Sequence, residues 1–244
     1  MSFMVSRGSK LSTFIVPRAL RIRCLRWRRT TFHIAIAAAI GALFNAVTPL
    51  RPAYAQAPVT IVALGDSLTA GYGLPAKDGF VPRLQGALTA KGDSVRIANA
   101  GVSGDTASDG LARLDWSVPA GTKAVIVELG ANDMLRGIRP DVTRAALETI
   151  LRRLTERHIA VLFCGMRSAP NMGAEYGEAF ERIFPDLVAK YPVLFYPFFL
   201  DGVAGDPSLV QADGMHPNAA GVQVIVARIL PMAERLVARV RLGR

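Results

Sequence analysis

The stretch VTIVALGDSLTAGYG, residues 59–73, joins an apolar run to a segment rich in glycine and small polar residues. The run from Val59 to Gly65 is nearly continuous in apolar side chains, which is typical of a parallel β-strand covered on both faces. The glycines that follow it predict a turn. Ser67, within that turn, is either a catalytic nucleophile or an ordinary loop serine, and these residues alone do not distinguish the two.

Four further apolar runs predict the other strands of one sheet. They are VRIANAG (95–101), KAVIVELG (123–130), IAVLFCG (159–165) and VLFYPFF (193–199). Helical patterns lie between and after the runs: one begins at Pro140, and another precedes Pro231, which is expected to kink or stop the last helix. This alternation predicts an α/β fold, specifically a three-layer α/β/α sandwich around a five-stranded parallel sheet.

The N-terminal segment differs in composition from the rest of the chain. Nine of the 29 Lys and Arg residues lie in residues 1–55, which contain no Asp or Glu, so most of the formal charge of +10 belongs to this segment. The remainder is almost neutral, and a nucleic-acid partner is therefore not expected. A basic stretch ending at Arg29, an apolar run over residues 32–47, and Ala53 and Ala55 at the −3 and −1 positions predict a signal peptide cleaved after Ala55.

Cleavage would leave residues 56–244 as one domain, large enough for its own core. We expect this domain to be periplasmic or secreted, with no stable membrane insertion, although an uncleaved anchor and either Sec or twin-arginine export stay open. The only cysteine of the domain, Cys164, excludes an intrachain disulfide. Its apolar neighbours predict a small buried side chain.

Glycines and small polar residues follow each of the first three predicted strands. Because the carboxyl ends of parallel strands meet at one edge, and ligands bind at that edge, these residues predict a site there. The segments are Gly65-Asp66-Ser67, Gly101-Val102-Ser103-Gly104 and Gly130-Ala131-Asn132-Asp133.

The predicted domain has only two histidines, which limits the choice of a base for Ser67. His158 ends a basic helical segment, where a solvent-exposed or helix-end role is favoured. His216 lies in QADGMHPNAAG, with Asp213 three residues before it and Gly214 between them. That spacing lets the carboxylate reach the imidazole and fix its tautomer, so that the other ring nitrogen faces outward.

Acyl transfer by serine also needs hydrogen-bond donors for the oxyanion. The backbone N–H groups of Ser67 and Gly104 and the side-chain amide of Asn132 are the candidates, since Asp133 would repel a negative charge. By analogy with known oxyanion holes, each donor would contribute about 3–4 kcal/mol of transition-state stabilisation. For Asp66, Asp105 and Asp133, the interpretation favoured by their loop positions is hydrogen bonding that makes the three loops rigid.

Four of these blocks, taken in order, resemble the signature blocks of the SGNH (GDSL-type) hydrolases. They are GDSLTAGYG, Gly104 in GVSGDT, GAND and DGMHP, and the resemblance covers nearly all of residues 59–230. MRSAPNMGAEYGEAF, and the segment from YPFFLDG to HPNAAG, are similar to the bacterial arylesterase, acyl-CoA thioesterase and lysophospholipase group within that family.

The resemblance implies a flavodoxin-like sheet and a catalytic triad of Ser67 as nucleophile, His216 as general base and acid, and Asp213 as the orienting residue. It implies an oxyanion hole formed by the Ser67 and Gly104 N–H groups and the Asn132 side chain. It also implies that no metal or cofactor takes part, and that the substrate is a small-molecule acyl ester, thioester or lysophospholipid.

Two other functions stay open at this point. A carbohydrate O-acetyl esterase would use the same residues, although Trp116 is the only tryptophan of the predicted domain available as a sugar platform. A non-catalytic flavodoxin-like binder would use GDSLTAGYG to hold a phosphate but would give DGMHP no purpose. An α/β-hydrolase is disfavoured because Thr69 stands where G-x-S-x-G requires glycine.

Overall fold

A computed structural model describes residues 57–243, which form a five-stranded parallel sheet. The strands are β1 (Val59–Gly65), β2 (Val95–Gly101), β3 (Ala124–Glu128), β4 (Ala160–Cys164) and β5 (Leu194–Tyr196). Their order is β2-β1-β3-β4-β5, and every neighbouring pair is parallel. This order is the flavodoxin-like one, so the predicted fold class is confirmed. The predicted signal peptide, residues 1–55, lies outside the described residues.

Helices cover both faces of the sheet. They are α1 (Ser67–Ala70), α2 (Phe80–Ala90), α3 (Ala107–Ala112), α4 (Leu114–Ser117), α5 (Ala131–Leu135), α6 (Pro140–Glu156), α7 (Ala174–Lys190) and α8 (Ala219–Arg241). On one face α2 packs against α8, and on the other α6 packs against α3 and α7. Between residues 57 and 243, no helix combines the length and apolarity needed to cross a membrane.

The core explains why the central strands are almost entirely apolar. Every residue of β3 is buried, and residues 61–64 of β1 are at most 1% exposed, because helices cover both faces of these strands. Five phenylalanines fill the space between sheet and helices, namely Phe80, Phe163, Phe180, Phe184 and Phe199. The sheet is therefore a rigid base for the loops at its edge.

Two predicted elements differ from the observed ones at a proline. The strand predicted over residues 193–199 ends at Tyr196, because Pro197 has no N–H to extend the ladder. Pro231 does not stop the last helix, which continues to Arg241. Ile229 before the proline and Ala233 after it are both fully buried, and this continuous apolar face offsets the one backbone hydrogen bond that proline removes.

Candidate active site

The site lies at the topological switch point of the sheet, where the strand order reverses. From β1 the chain moves outward to β2 and then returns to place β3 on the other side of β1, which opens a crevice at their carboxyl ends. Ligands of open parallel sheets bind at such a switch point. Ser67 follows β1 and Asn132 follows β3, while Gly104 lies in the loop after β2.

Ser67 occupies the first position of α1, a helix of only four residues. Asp66 caps this helix, because its Oδ1 accepts the Leu68 N–H at 3.0 Å. Gly71 ends the helix in the left-handed conformation, with φ of 83°, and its N–H donates to the Ser67 carbonyl. The serine is therefore held in a tight, half-buried turn.

His216 lies between Ser67 and Asp213. Its Nε2 is 3.0 Å from Ser67 Oγ, and its Nδ1 is 2.7 Å from Asp213 Oδ2. Both distances are within hydrogen-bonding range. A serine, a histidine and an aspartate joined in this order form the arrangement by which serine hydrolases activate their nucleophile.

The loop containing His216 wraps around the Asp213 carboxylate. Asp213 Oδ1 accepts the backbone N–H groups of Met215 at 2.9 Å and of His216 at 3.0 Å. These two bonds, together with the bond to the His216 ring, lower the pKa of Asp213 to about 2. The carboxylate is thus ionised at neutral pH. It fixes His216 in two ways, by accepting the backbone N–H of that residue and by binding Nδ1 of its ring.

Tyr72 covers the outer side of the histidine ring. The two ring centroids are 4.6 Å apart, and the planes are inclined by 37°. Tyr72 itself is 53% exposed, so it stands at the mouth of the site. The sequence did not identify this contact, because Tyr72 and His216 lie in loops that are far apart along the chain.

The backbone N–H groups of Ser67 and Gly104, the two predicted oxyanion donors, have no acceptor within residues 57–243. Gly104 has a φ of 89°, a conformation that favours glycine. Arg136 Nη2 donates to the Gly104 carbonyl at 2.7 Å and so holds this loop in place. Unpaired N–H donors are suited to binding a developing negative charge.

The side-chain amide of Asn132 has its donors engaged by the protein. Asn132 Nδ2 donates to Asp66 Oδ2 at 3.1 Å and to the Asp105 carbonyl at 3.0 Å. Since an amide NH₂ has two hydrogens, both are used. Asn132 therefore ties the loop after β3 to the loops after β1 and β2.

The three aspartates beside the predicted site residues all accept hydrogen bonds from the protein, in line with the structural role predicted for them. Asp66 binds Leu68 and Asn132, as described above. Asp105 Oδ2 lies 2.5 Å from Arg113 Nε. Asp133 is fully buried and accepts the Ala107 N–H and the Thr143 hydroxyl at 2.8 and 2.9 Å.

Arg113, which the sequence did not identify, connects the ends of the first two strands. Its guanidinium donates to the carbonyls of Gly65 and Ala100, both at 2.8 Å, and pairs with Asp105. The side chain is only 8% exposed. A nearly buried arginine that binds two strand ends makes the two loops one rigid unit.

His158 lies away from this site, and Cys164 is buried in the core. His158 lines a cavity of about 890 Å³ beside the amino ends of β4 and β5, at the opposite edge of the sheet. Cys164 is fully buried on β4, as predicted, and burial raises the pKa of its thiol well above the ordinary value. No group of three or more His, Cys, Asp or Glu able to hold a metal ion occurs in the described part of the chain.

Comparison with known proteins identifies the family. The GDSL-like Lipase/Acylhydrolase family model matches residues 63–224. The chain is 36% identical over 178 residues to Esterase TesA of Pseudomonas aeruginosa, which is 72% of this chain and 89% of that protein. It is 39% identical over 181 residues to Thioesterase 1/protease 1/lysophospholipase L1 of Escherichia coli K12, covering 72% and 82%.

A solved structure agrees with these sequence comparisons. AlinE4, described as an SGNH-hydrolase family esterase, is 43% identical, with a TM-score of 0.63 over 73% of this chain and 96% of that one. The chain therefore belongs to the GDSL-like lipase/acylhydrolase family, and this membership indicates a carboxylic ester hydrolase.

Proposed function

We propose that this protein is an exported serine hydrolase that cleaves carboxylic esters and thioesters through an acyl-enzyme intermediate on Ser67. The observation that carries the proposal is the position of His216, within hydrogen-bonding distance of both Ser67 Oγ and the Asp213 carboxylate. A loop histidine with no catalytic role would not need both partners.

In the acylation step, Ser67 Oγ attacks the carbonyl carbon of the ester while His216 Nε2 takes the hydroxyl proton. Asp213 holds the proton on Nδ1 and stabilises the imidazolium that forms. When the tetrahedral intermediate collapses, His216 returns its proton to the leaving alkoxide or thiolate. The acyl group then remains on Ser67 as an ester.

The oxyanion of the intermediate would be bound by the N–H groups of Ser67 and Gly104, which are unpaired within the described residues. Asn132 would supply a third donor. Because its amide already donates to Asp66 and Asp105, we propose that it shares the hydrogen that points to the Asp105 carbonyl with the oxyanion. The bond to Asp66 would keep the amide in place.

Deacylation repeats these steps with water as the nucleophile. His216 takes a proton from the water, which attacks the acyl carbon, and the same donors stabilise the second oxyanion. His216 then returns the proton to Ser67 Oγ, and the carboxylic acid leaves. The resting state shown by the structure is regenerated.

The side chains around the site favour an apolar acyl group over a sugar. Four large apolar residues that are close in sequence to the proposed catalytic residues are substantially exposed: Tyr72, Val102, Leu135 and Met215. Exposed apolar side chains on the segments that carry the proposed catalytic residues favour an apolar ligand over a sugar. The names of the relatives, which include esterase, thioesterase and lysophospholipase, support the same substrate class.

The test is a series of p-nitrophenyl esters, acyl thioesters and lysophospholipids of increasing acyl length, with acetyl-xylan as the sugar-ester alternative. We expect hydrolysis of the acyl series, with loss of activity in Ser67→Ala and His216→Ala. Deacetylation of acetyl-xylan with no turnover of the acyl series would favour the O-acetyl esterase. Activity on no ester at all would favour a non-catalytic binder.

For residues 1–55 we propose a signal peptide, leaving residues 56–244 as the hydrolase domain. The support is the basic and apolar composition of this segment and the small residues before the predicted cleavage position. N-terminal sequencing of the exported protein should begin at Gln56. Recovery of the intact segment from membranes would show instead that it is an uncleaved anchor.

A further inference from the structure

Glu128 is a buried ionisable residue to which the proposed reaction assigns no role. It is the last residue of β3 and is fully buried. Its Oε2 accepts the Thr69 hydroxyl at 2.7 Å and lies 3.4 Å from the Asp66 backbone nitrogen, which donates to it. Its Oε1 has no hydrogen-bond partner within residues 57–243. A buried carboxyl group that is only partly paired is costly and calls for an explanation.

The Glu128 carboxyl lies directly beneath the turn that carries Ser67. A methyl group added to Gly65 would approach Glu128 Oε2 to 2.6 Å and Thr69 Oγ1 to 2.1 Å. Only glycine can occupy position 65 while Glu128 and Thr69 stay where they are. The carboxyl therefore lies against Gly65, just before Asp66, and binds Thr69, two residues after Ser67.

The surroundings of this carboxyl group favour its neutral form. The titratable groups beside it are Asp66 on the serine turn and Cys164, its partner in the strand register on β4. No Lys or Arg in the described part of the chain forms an ion pair or hydrogen bond with it. Burial, followed by repulsion from Asp66, raises the pKa of Glu128 well above its ordinary value.

Asp66 is the better place for the negative charge of this pair of acids. Burial raises its pKa to about 6, but hydrogen bonds from the Leu68 N–H and the Asn132 amide stabilise the charged form. The surroundings therefore favour the neutral form more strongly at Glu128 than at Asp66. Asp66 and Asn132 stay bound to each other across the site.

We propose that Glu128 is a positioning residue for ester hydrolysis: by accepting hydrogen bonds from Thr69 and Asp66 beneath the serine turn, it fixes α1, and with it the Ser67 hydroxyl and N–H, against the strand that leads to Asn132. This inference rests on the proposed function, because it assigns Glu128 a task in that reaction. An apolar side chain would leave the Thr69 hydroxyl and the Asp66 N–H without an acceptor. The turn could then shift, and a displacement of about 1 Å can cost about 100-fold in rate.

Two variants of nearly equal size separate hydrogen bonding from space filling. Glu128→Gln keeps a neutral acceptor for Thr69 and Asp66, and we expect kcat within about threefold of the wild type. Glu128→Met fills the same volume without an acceptor. Its kcat should fall by about 10- to 100-fold with KM nearly unchanged, and the rate of fluorophosphonate labelling should fall by the same factor.

The proposal is overturned if Glu128→Met has wild-type kcat, or if Glu128→Gln is as impaired as Glu128→Met. Should Glu128→Met fail to fold by circular dichroism, Thr69→Val and Thr69→Ser decide. Loss of kcat in the valine variant with recovery in the serine variant supports the proposal, and wild-type kcat in both overturns it. Ser67→Ala is assayed in parallel: its continued activity would refute the proposed function itself, whereas an inactive Ser67→Ala with an unaffected Glu128→Met would refute only the role of Glu128.

Discussion

His216 Nε2 lies 3.0 Å from Ser67 Oγ, although the two residues are 149 positions apart in the chain. Ser67 follows the first strand of the sheet, and His216 stands in the loop that leads into the last helix. The parallel sheet makes this approach possible, because the loops at the carboxyl ends of its strands converge on one edge.

Removing the charge of Asp213 should abolish most of the activity. In Asp213→Asn the side chain can no longer hold the proton on His216 Nδ1, and we expect kcat to fall by about 10⁴-fold, as when the aspartate of other serine hydrolases is replaced. Asp206→Asn is the matched control, since Asp206 is exposed and, within residues 57–243, its side chain accepts hydrogen bonds from Ser208 alone. Steady-state kinetics of both variants make the comparison, and comparable kcat values in the two would contradict the assigned role.

The ring of Tyr72 should contribute to catalysis by packing on His216. Tyr72→Phe keeps the ring and should have nearly wild-type kcat. Tyr72→Ala removes a contact of a kind that stabilises by about 0.5–1.5 kcal/mol, so kcat should fall by roughly 2- to 10-fold. If kcat falls as much in Tyr72→Phe as in Tyr72→Ala, the contribution comes from the tyrosine hydroxyl and not from ring packing.

Arg113 should contribute strongly to stability. Arg113→Met leaves the Asp105 carboxylate and the Gly65 and Ala100 carbonyls without their donor, and breaking a nearly buried pair costs about 3–5 kcal/mol in free energy of unfolding. Arg139→Met, which breaks the exposed pair with Asp141, should leave stability unchanged. Chemical denaturation of both variants tests this contrast, which equal stabilities would refute.

Asp66 should make the protein less stable as the pH rises. Its pKa is raised from 3.8 to about 6 by burial, so between about pH 4 and 6 the folded state binds more protons than the unfolded state. The free energy of unfolding therefore falls over this range. The carboxyl groups with lowered pKa, such as Asp141, act in the opposite direction and only below about pH 4.

Urea unfolding at a series of pH values measures this slope. Asp66→Asn should make the slope between about pH 4 and 6 shallower without abolishing it, because the raised pKa of Glu128 acts in the same direction, and Asp141→Asn should leave the slope as it is. A slope in Asp66→Asn as steep as that of the wild type would contradict the contribution of Asp66.

Much of the fold could be predicted from local patterns. The apolar runs marked all five strands, most clearly β1, β3 and β4, because a strand covered on both faces has no polar side to show, whereas the edge strand β2 is partly exposed. The glycine-containing segments after β1, β2 and β3 marked the edge at which Ser67, Gly104 and Asn132 lie. Pro231 does not stop the last helix, because the burial of residues beyond it depends on packing that the local sequence does not show.

The supporting residues of the site could not be predicted in this way. Glu128 belongs to no recognisable catalytic motif. The only sequence feature that pointed to it is an acidic residue near the end of the apolar run KAVIVELG. Arg113 and Tyr72 act on residues that are distant in sequence, and the double engagement of the Asn132 amide depends on the positions of three separate loops. Such contacts are set by tertiary structure rather than by spacing.

The central claim is that Ser67 becomes acylated, and mass spectrometry after treatment with a fluorophosphonate tests it most directly. The account predicts one adduct per chain, located on Ser67 by peptide mapping, together with loss of esterase activity and no labelling of Ser67→Ala. An adduct on another residue, or labelling that persists in Ser67→Ala, would contradict it.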